Sequence, residues 1–398
     1  MLPIRGCEVI RCSIFIKMRD KRLNVIHLIT GLNDGGAEGT LYRLCVHDKK
    51  NEHLVISLMG EGKYGPLLKS AGVKLHCLNM PQGRITLKGI WKLWRLLRTH
   101  SPDVLQTWLY HADLVGGVVA KMANVGKVFW GIRNGNLKRG TVKKGTIVVA
   151  RLCGYISSWV PFRIISCSEK AIQTHLQFGY TADKFRVIPN GYDLSQFVRD
   201  KSLSLSMRTE LNIAPSVPLL GMVARFDPQK DHANLIAALS LLKKQKQNFH
   251  CILVGTGMEP NNNELTNLIT AADLTDRITL LGRRNDIPAL MCTLDIHVLS
   301  SLGEAFPNVL AEAMACSTPC VTTDVGDAAL IVGNTGWVVP REDASALADA
   351  IKASLTCLED ELVWPARQNA ARERISMNFT IEHMAKTYDA MWREGLTH

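Results

Sequence analysis

Two glutamates eight positions apart, Glu304 and Glu312, occupy the block 303–312 (GEAFPNVLAE) of a 398-residue chain. Pro307 stands where a first helical residue would, and Val309, Leu310, Ala311, Ala313 and Met314 continue as a helix. Glu304 is then expected in the loop at the helix mouth and Glu312 about two turns inside. A helix N-terminus exposes unpaired N–H groups and a partial positive charge, so anions collect there. Phe306, Pro307 and Asn308 stand at that helix end, where its amides would meet an anion's oxygens. A carboxylate further in can accept two hydrogen bonds from the cis-diol of a ribose. Sugar hydroxyls, diphosphate and ribose are the three parts of a nucleotide-sugar. The spacing alone would equally suit two exposed carboxylates on an ordinary amphipathic helix, so the surroundings decide.

The apolar segment 294–300 (LDIHVLS) precedes the block and 319–323 (PCVTT) follows it. This reads strand, loop, helix, strand, with the acidic loop at a carboxyl strand end, where open α/β sheets bind ligands. Upstream, 24–30 is a short apolar strand followed by the loop 31–39 and a helix from Thr40. Further strands are read at 54–59, 73–78, 104–108, 128–132 and 164–167, with helical segments between most of them. The pattern restarts at 219–224 and continues through 250–255, 278–282, 295–299 and 320–323. The fold class is therefore α/β, with two Rossmann-like doubly wound domains. We place the first at 21–197 and the second at 198–380, joined near 187–193 (VIPNGYD). A last helix, 381–398, is amphipathic and is a candidate to cross back to the first domain. Met18, followed by Arg-Asp-Lys-Arg, looks like a second start, so 1–20 is read as a non-essential extension.

Hydrophobic residues make up 46% of the chain and charged residues 21%, as in ordinary globular proteins. No apolar run is long enough to cross a bilayer, and the N-terminus lacks the features of a secretory signal. Eleven scattered cysteines without a CxxC pair fit a reducing cytoplasm. Residues 1–197 hold 29 Lys/Arg against 12 Asp/Glu, a balance of +17, whereas 198–398 hold 18 against 24, a balance of −6. Such asymmetry points to an anionic partner for the first half. In the predicted helix 86–100, Ile90, Leu93, Trp94 and Leu97 form a buried stripe, leaving Lys88, Trp91, Lys92, Arg95 and Arg98 outside it. A basic helix with an outward tryptophan suits an anionic membrane surface, and by itself equally a solvated basic face; the charge imbalance of the whole first half favours the membrane. No interleaved aromatic-basic motif or zinc pattern supports nucleic acid.

Six motifs in order then carry a resemblance. They are Gly35-Gly36-Ala37-Glu38, 188–193 (IPNGYD), 223–230 (VARFDPQK), 254–257 (VGTG), 281–286 (LGRRND) and the EAFPNVLAE block. Over roughly 21–394 the chain resembles the retaining glycosyltransferases of the GT-B fold, in the large family 4 (group 1) of nucleotide-sugar-dependent enzymes. That resemblance implies two Rossmann-like domains facing across a cleft and a nucleotide-sugar donor, a UDP-sugar by expectation.

Arg225 and Lys230, five apart after the first strand of the second half, can grip a diphosphate as negative charge builds on it. An exposed Arg or Lys serving only solubility, or a Lys230 in a surface ion pair, is the plainer alternative. Gly35 and Gly36 let backbone amides approach the same diphosphate, or simply make a tight strand-to-helix turn. By the resemblance, Glu304 lies beside the donor sugar, Glu312 holds the ribose diol, Gly257 belongs to the donor site, and the backbone around Asp286 flanks the base. His111 follows a strand end where many relatives carry a histidine-rich stretch, and Trp108 stands where one of those histidines is often found. His111 is either a contact to donor or acceptor or a buried structural imidazole. Arg133 and Asn134 end the next strand and are acceptor-side candidates, with salt-bridging or capping roles as the alternative. No GxGxxG surrounds the glycine loops and no DxD motif occurs, so no dinucleotide cofactor and no metal is expected. The expected acceptor is a polyprenyl-diphosphate-linked oligosaccharide at the cytoplasmic face of the inner membrane, in O-antigen or capsule assembly. A nucleotide-sugar epimerase and a non-catalytic membrane-associated partner protein are the rival readings.

Overall fold

The computed structural model describes residues 21–135, 137 and 142–397; the segment 1–20, read above as an extension, lies outside them. The chain divides into two compact units. One holds the residues up to Gly191 together with the chain from Ile381 onward, and the other is Tyr192–Thr380. The division thus falls at 191/192 rather than at 197/198. Its cause is local: the Tyr192 N–H donates to the Phe379 carbonyl at 3.0 Å and Tyr192 pairs with Thr380, so 192–197 already belongs to the second unit.

The first unit alternates β1 (Asn24–Ile29), α1 (Gly36–His47), β2 (Glu52–Ser57), α2 (Tyr64–Ser70), β3 (Lys74–Cys77), α3 (Leu87–His100) and β4 (Val104–Trp108). It continues with α4 (Tyr110–Met122), β5 (Val128–Ile132), α5 (Lys144–Ile156), β6 (Arg163–Ser166), α6 (Glu169–Leu176) and β7 (Phe185–Val187). Its seven strands are parallel in the order β3-β2-β1-β4-β5-β6-β7. β1 and β4 are sequence-distant neighbours at the point where the strand order reverses. Two short edge strands, β7 here and its counterpart below, escape sequence reading because three residues carry no alternation signal.

The central strands are buried on both faces, as a doubly covered sheet requires, and are mostly apolar, with His27, Gln106 and Thr107 as enclosed polar exceptions. On one face α3, α4 and α5 share a core with Leu93, Leu97, Val115, Val119, Ala150 and Cys153. On the other, α1 and α2 are joined by the last helix of the chain, whose Met384, Tyr388 and Trp392 are buried against Trp108 and Phe129. Trp392 and Tyr388 are fully enclosed; truncating such an aromatic to alanine costs about 3–5 kcal/mol.

α3 corrects one expectation. It is capped by Thr86, whose hydroxyl accepts from the Gly89 N–H at 3.1 Å. Gly89 is so close to Met80 that a Cβ there would lie 2.2 Å from the methionine methyl. The buried line is therefore Gly89–Leu93–Leu97, and Trp94, expected inside, stays 36% exposed beside Trp91.

The second unit runs α7 (Lys201–Glu210), β8 (Leu219–Val223), α8 (His232–Lys244), β9 (His250–Val254), α9 (Asn263–Ala271), β10 (Ile278–Gly282) and α10 (Ile287–Thr293). Then come β11 (Ile296–Leu299), α11 (Asn308–Ala315), β12 (Cys320–Thr323), α12 (Ala328–Val332), β13 (Trp337–Val339), α13 (Ala344–Leu358) and α14 (Val363–Asn378). Six parallel strands follow the order β10-β9-β8-β11-β12-β13. The order reverses between β8 and β11. The final helix, α15 (Ile381–Thr397), belongs to the first unit. Among the described residues no helix is long and apolar enough to cross a membrane.

Candidate functional site

The loops that leave β8 and β11 carry the sequence-predicted cations and the first glutamate, and the fold brings them together at the reversal point of the second sheet. Asp227 starts a single 3₁₀ turn, Pro228–Lys230, by accepting from the Gln229 N–H at 2.9 Å. That turn presents Lys230, whose ammonium pairs with the Glu304 carboxylate. Ser301 donates to the same Glu304 oxygen at 2.8 Å. The two loops are also tied through their backbones. Leu302 N–H donates to the Gln229 carbonyl at 2.8 Å, and the Ser300 hydroxyl reaches the Lys230 and Asp231 carbonyls at 2.9 Å each. Arg225 projects from the start of the loop, its side chain 60% exposed and 3.1 Å from Asp227. A part-buried ammonium, an exposed guanidinium and an acidic acceptor at a sheet's reversal point suit an anion that carries hydroxyls.

α11 follows, with two corrections. Pro307 is the cap residue, and helical backbone begins at Asn308. Glu312 is the fifth helical residue, so it lies little more than one turn inside rather than two. Gly326 explains why the acidic loop holds its course. Its φ of +49° and the 2.6 Å a Cβ would have to the Glu304 carbonyl leave room for glycine alone, and the Asp327 N–H donates to the Ala305 carbonyl at 2.9 Å. Phe306 is buried edge-on to Phe379 at 5.6 Å between centroids, and Asn308 accepts from the Tyr192 hydroxyl.

Gly257, expected at the donor, has a φ of +84°, and a Cβ there would lie 2.7 Å from that of Phe226. The glycine thus lets the turn after β9 pack on the loop after β8. Asp286 is held by Arg284 through two hydrogen bonds of 2.9 and 2.6 Å, which lower its carboxyl below the ordinary range. Sequence reading missed Ser301, and it missed two histidines beneath the loops. His297 on β11 and His232 on α8 are pushed down to about 3 and about 4, by burial first and by Lys230 second. Both are neutral at physiological pH, and neither competes with Lys230 for an anion.

In the first unit, Gly35 caps α1 with extended backbone and Gly36 is already helical, four residues earlier than the expected start at Thr40. The low helix propensity of the Gly-Gly pair hid that turn. His111 is the second residue of α4, partly buried, and faces a pocket of about 570 Å³ with Thr30, Arg84 and Lys143. Leu109 before it has a φ of +74°, a strained conformation for a branched side chain. The corner is braced from below by Asp113, which accepts from Thr107 and from the Gly131 N–H. Burial pushes the Asp113 carboxyl up to about 8.

Arg133, one of the two acceptor-side candidates, is engaged within the first unit. Its guanidinium stacks 4.5 Å from the Trp108 ring, donates to Asn190 at 2.7 Å and reaches the Tyr388 hydroxyl on α15. Beneath it Trp108 donates to His27 Nδ1 at 3.2 Å, His27 Nε2 lies 2.9 Å from His53 Nδ1, and His53 Nε2 lies 3.2 Å from Asp48. His27, Cys45 and His53 bring ligand atoms within 4.8 Å of one another. Yet the indole N–H occupies one His27 lone pair, and a His27 N–H facing His53 completes a chain ending on Asp48 without an ion. Burial would raise Asp48, but hydrogen bonds from His53 and Asn51 outweigh it and hold the carboxyl at about 2.

The comparisons with known proteins agree with this geometry. Residues 34–196 match the family described as Glycosyltransferase Family 4, and residues 217–357 that described as Glycosyl transferases group 1. The chain is 25% identical over 300 residues to an Escherichia coli UDP-Gal:alpha-D-GlcNAc-diphosphoundecaprenol alpha-1,3-galactosyltransferase, covering 74% of this chain and 76% of that one. It is 29% identical over 200 residues to a Campylobacter jejuni diphospho-undecaprenol 4-alpha-N-acetylgalactosaminyltransferase, covering 50% of each chain. Its fold matches that of HepE from Anabaena, solved in complex with UDP-glucose, with a TM-score of 0.81 at 23% identity over 93% of this chain and 99% of that one. Two parallel-stranded units with this strand order and this motif series identify the chain as a glycosyltransferase of the GT-B fold, a member of family 4, group 1.

Proposed function

We propose that the chain transfers a hexose or N-acetylhexosamine from a UDP-sugar, with retention at the anomeric carbon, to a polyprenyl-diphosphate-linked oligosaccharide. The product would feed a bacterial surface polysaccharide such as O-antigen or capsule. The observation that carries this reading is the Lys230–Glu304 pair at the reversal point of the second sheet, with Arg225 beside it. An incoming diphosphate draws the Lys230 ammonium toward itself and leaves Glu304, oriented by Ser301, to hold the donor sugar's hydroxyls. As the glycosidic bond breaks, charge grows on the leaving diphosphate, and Lys230 and Arg225 stabilise it. Glu312 takes the ribose diol, and the α11 N-terminus adds its amides. Metal and cofactor have no part in this reading.

The donor class is supported by the UDP-glucose bound to HepE, and the acceptor class by the diphospho-undecaprenol named for both enzyme relatives. Work at the inner face of the plasma membrane is supported by the +17 balance of the first 197 residues and the outward Trp91 and Trp94.

The test is calorimetry of the purified chain against UDP, GDP, ADP and their sugar derivatives without added metal, followed by NMR of the anomeric configuration in any product. Binding of a UDP-sugar that is lost in Arg225→Ala, with an axial donor linkage kept in the product, is expected. Binding of no nucleotide, or inversion, would overturn the reading.

A further inference from the structure

The pocket of the first unit lies at that sheet's own reversal point. Thr30 follows β1, His111 is in the first turn of α4 after β4, Arg84 and Ile85 precede α3, and Lys143, Thr146 and Val149 come from the first turns of α5 and the residue before it. Its walls divide by chemistry. Leu58, Met59, Met80, Ile85 and Val149 are apolar, while Arg84, Lys143 and His111 are cationic or basic. Among the described residues neither Arg84 nor Lys143 has a carboxylate partner, although each is exposed at the rim.

The surface around this pocket is unusual in the same sense. Sequence segments 62–102 and 114–168 contain no Asp or Glu at all. Along α5, Val148, Leu152 and Tyr155 recur at helical spacing, continue to Trp159 in the turn beyond, and are all exposed, Tyr155 by 83%. Along α3, Leu87, Trp91 and Trp94 do the same, Leu87 by 86%, with Arg95 stacked over the Trp91 ring. Both stripes lead away from pocket residues, Ile85 on one side and Val149 on the other. Cations at a rim with apolar side chains running outward from it suit a molecule with a phosphate head and a long hydrocarbon tail.

We propose that this pocket binds the diphosphate of a lipid diphosphate. Arg84 and Lys143 hold the phosphate oxygens, and the first isoprene units lie along Ile85 and Val149 toward the stripes of α3 and α5. This rests on the acceptor class proposed above and gives that acceptor a seat. Arg84 and Lys143 bind through charge, so glutamine at either position removes the grip while keeping most of the side chain's reach.

The experiment titrates the full chain with farnesyl diphosphate, with inorganic diphosphate and with farnesol, each in the absence and presence of saturating UDP. Farnesyl diphosphate is expected to bind at least tenfold tighter than either fragment, and to bind alongside UDP. Arg84→Gln and Lys143→Gln should each weaken it about tenfold, and their UDP affinity and melting temperature should match the parent chain. Displacement by UDP would assign the ligand to the donor site, equal binding of inorganic diphosphate would make the pocket a bare phosphate site, and unchanged affinity in both variants would remove the residues from it. Each of these overturns the proposal while leaving nucleotide-sugar binding intact. Failure of UDP-sugar binding is a separate result that sinks the donor reading.

Discussion

The two sheets are built alike, but their cations are used differently. At the carboxyl edge of the second sheet, Lys230, Arg225 and Arg284 each face a carboxylate of their own unit: Glu304, Asp227 and Asp286. In the first unit Lys63 pairs with Asp34 and Lys69 with Glu61, but Arg84, Lys88, Lys92, Arg95, Lys143 and Lys144 face no carboxylate among the described residues. Internal pairing holds a side chain in one place until a small anion of matching geometry arrives, which serves catalysis. Unpaired cations repel one another and are compensated only by something outside the molecule, which serves attachment.

The largest expected effect comes from breaking the paired side. Lys230→Ala should lower kcat by about 10²- to 10³-fold, the range for removing a group aimed at developing charge. Circular dichroism should show the fold intact. Equal turnover in the variant would mean that Lys230 is merely a structural partner of Glu304. The division of labour between the two glutamates gives a smaller, more discriminating effect. Glu312→Ala should weaken UDP binding about tenfold, whereas Glu304→Ala should lower turnover and leave UDP affinity within about twofold. Equal affinities by calorimetry would sink that division.

On the unpaired side, the triple variant Lys88→Gln, Lys92→Gln, Arg95→Gln should shift the chain from bound to free in flotation with vesicles holding 30 mol% phosphatidylglycerol. About 1 kcal/mol is lost per cation near an anionic surface. UDP affinity should not move. Parent-like flotation would leave those cations as a solvated face.

Acidification separates the units more gently. His232 and His297 of the second unit, and His27 and His175 of the first, stay neutral when buried. Below about pH 6.5 the unfolded chain takes up protons that the folded chain refuses, so stability falls with pH, by about 2 kcal/mol for each such histidine between pH 7 and 5. Asp113 works in the opposite sense. Its carboxyl, raised to about 8, is tolerated better as pH falls, an offset larger than the one the second unit draws from the smaller rise that burial gives Asp231 and Asp295. Hydrogen exchange at pH 7 and pH 5 should show the larger loss of protection in the second unit. A larger loss in the first would contradict the assignment of a neutral Asp113.

The strand-helix alternation was legible because each central strand is a short apolar run bounded by turn residues, and the acidic block because its proline and helix formers lie within ten positions. What stayed hidden depends on partners far away in sequence. Lys230 and Glu304 are 74 positions apart, and nothing near either one announces the other. Trp94 looked buried from periodicity, yet Gly89 and Met80 turn the helix away from it. For Arg133 the sequence left an acceptor-side and a salt-bridging role open, because its stacking on Trp108 and its bond to α15 involve residues up to 255 positions off. Tertiary contacts override a local pattern most easily at long, amphipathic side chains.

The return of α15 to the first unit reaches back to the ribosome. Ile381, Met384, Tyr388 and Trp392 complete a core whose first strand is made at residue 24. During synthesis the second unit has all its strands and helices before that core can close. The usual order, in which the earlier domain settles first, is reversed here for the face beneath α15. A chain stopped short of Ile381 would leave Trp108 and Phe129 uncovered on one side, however well the rest had folded.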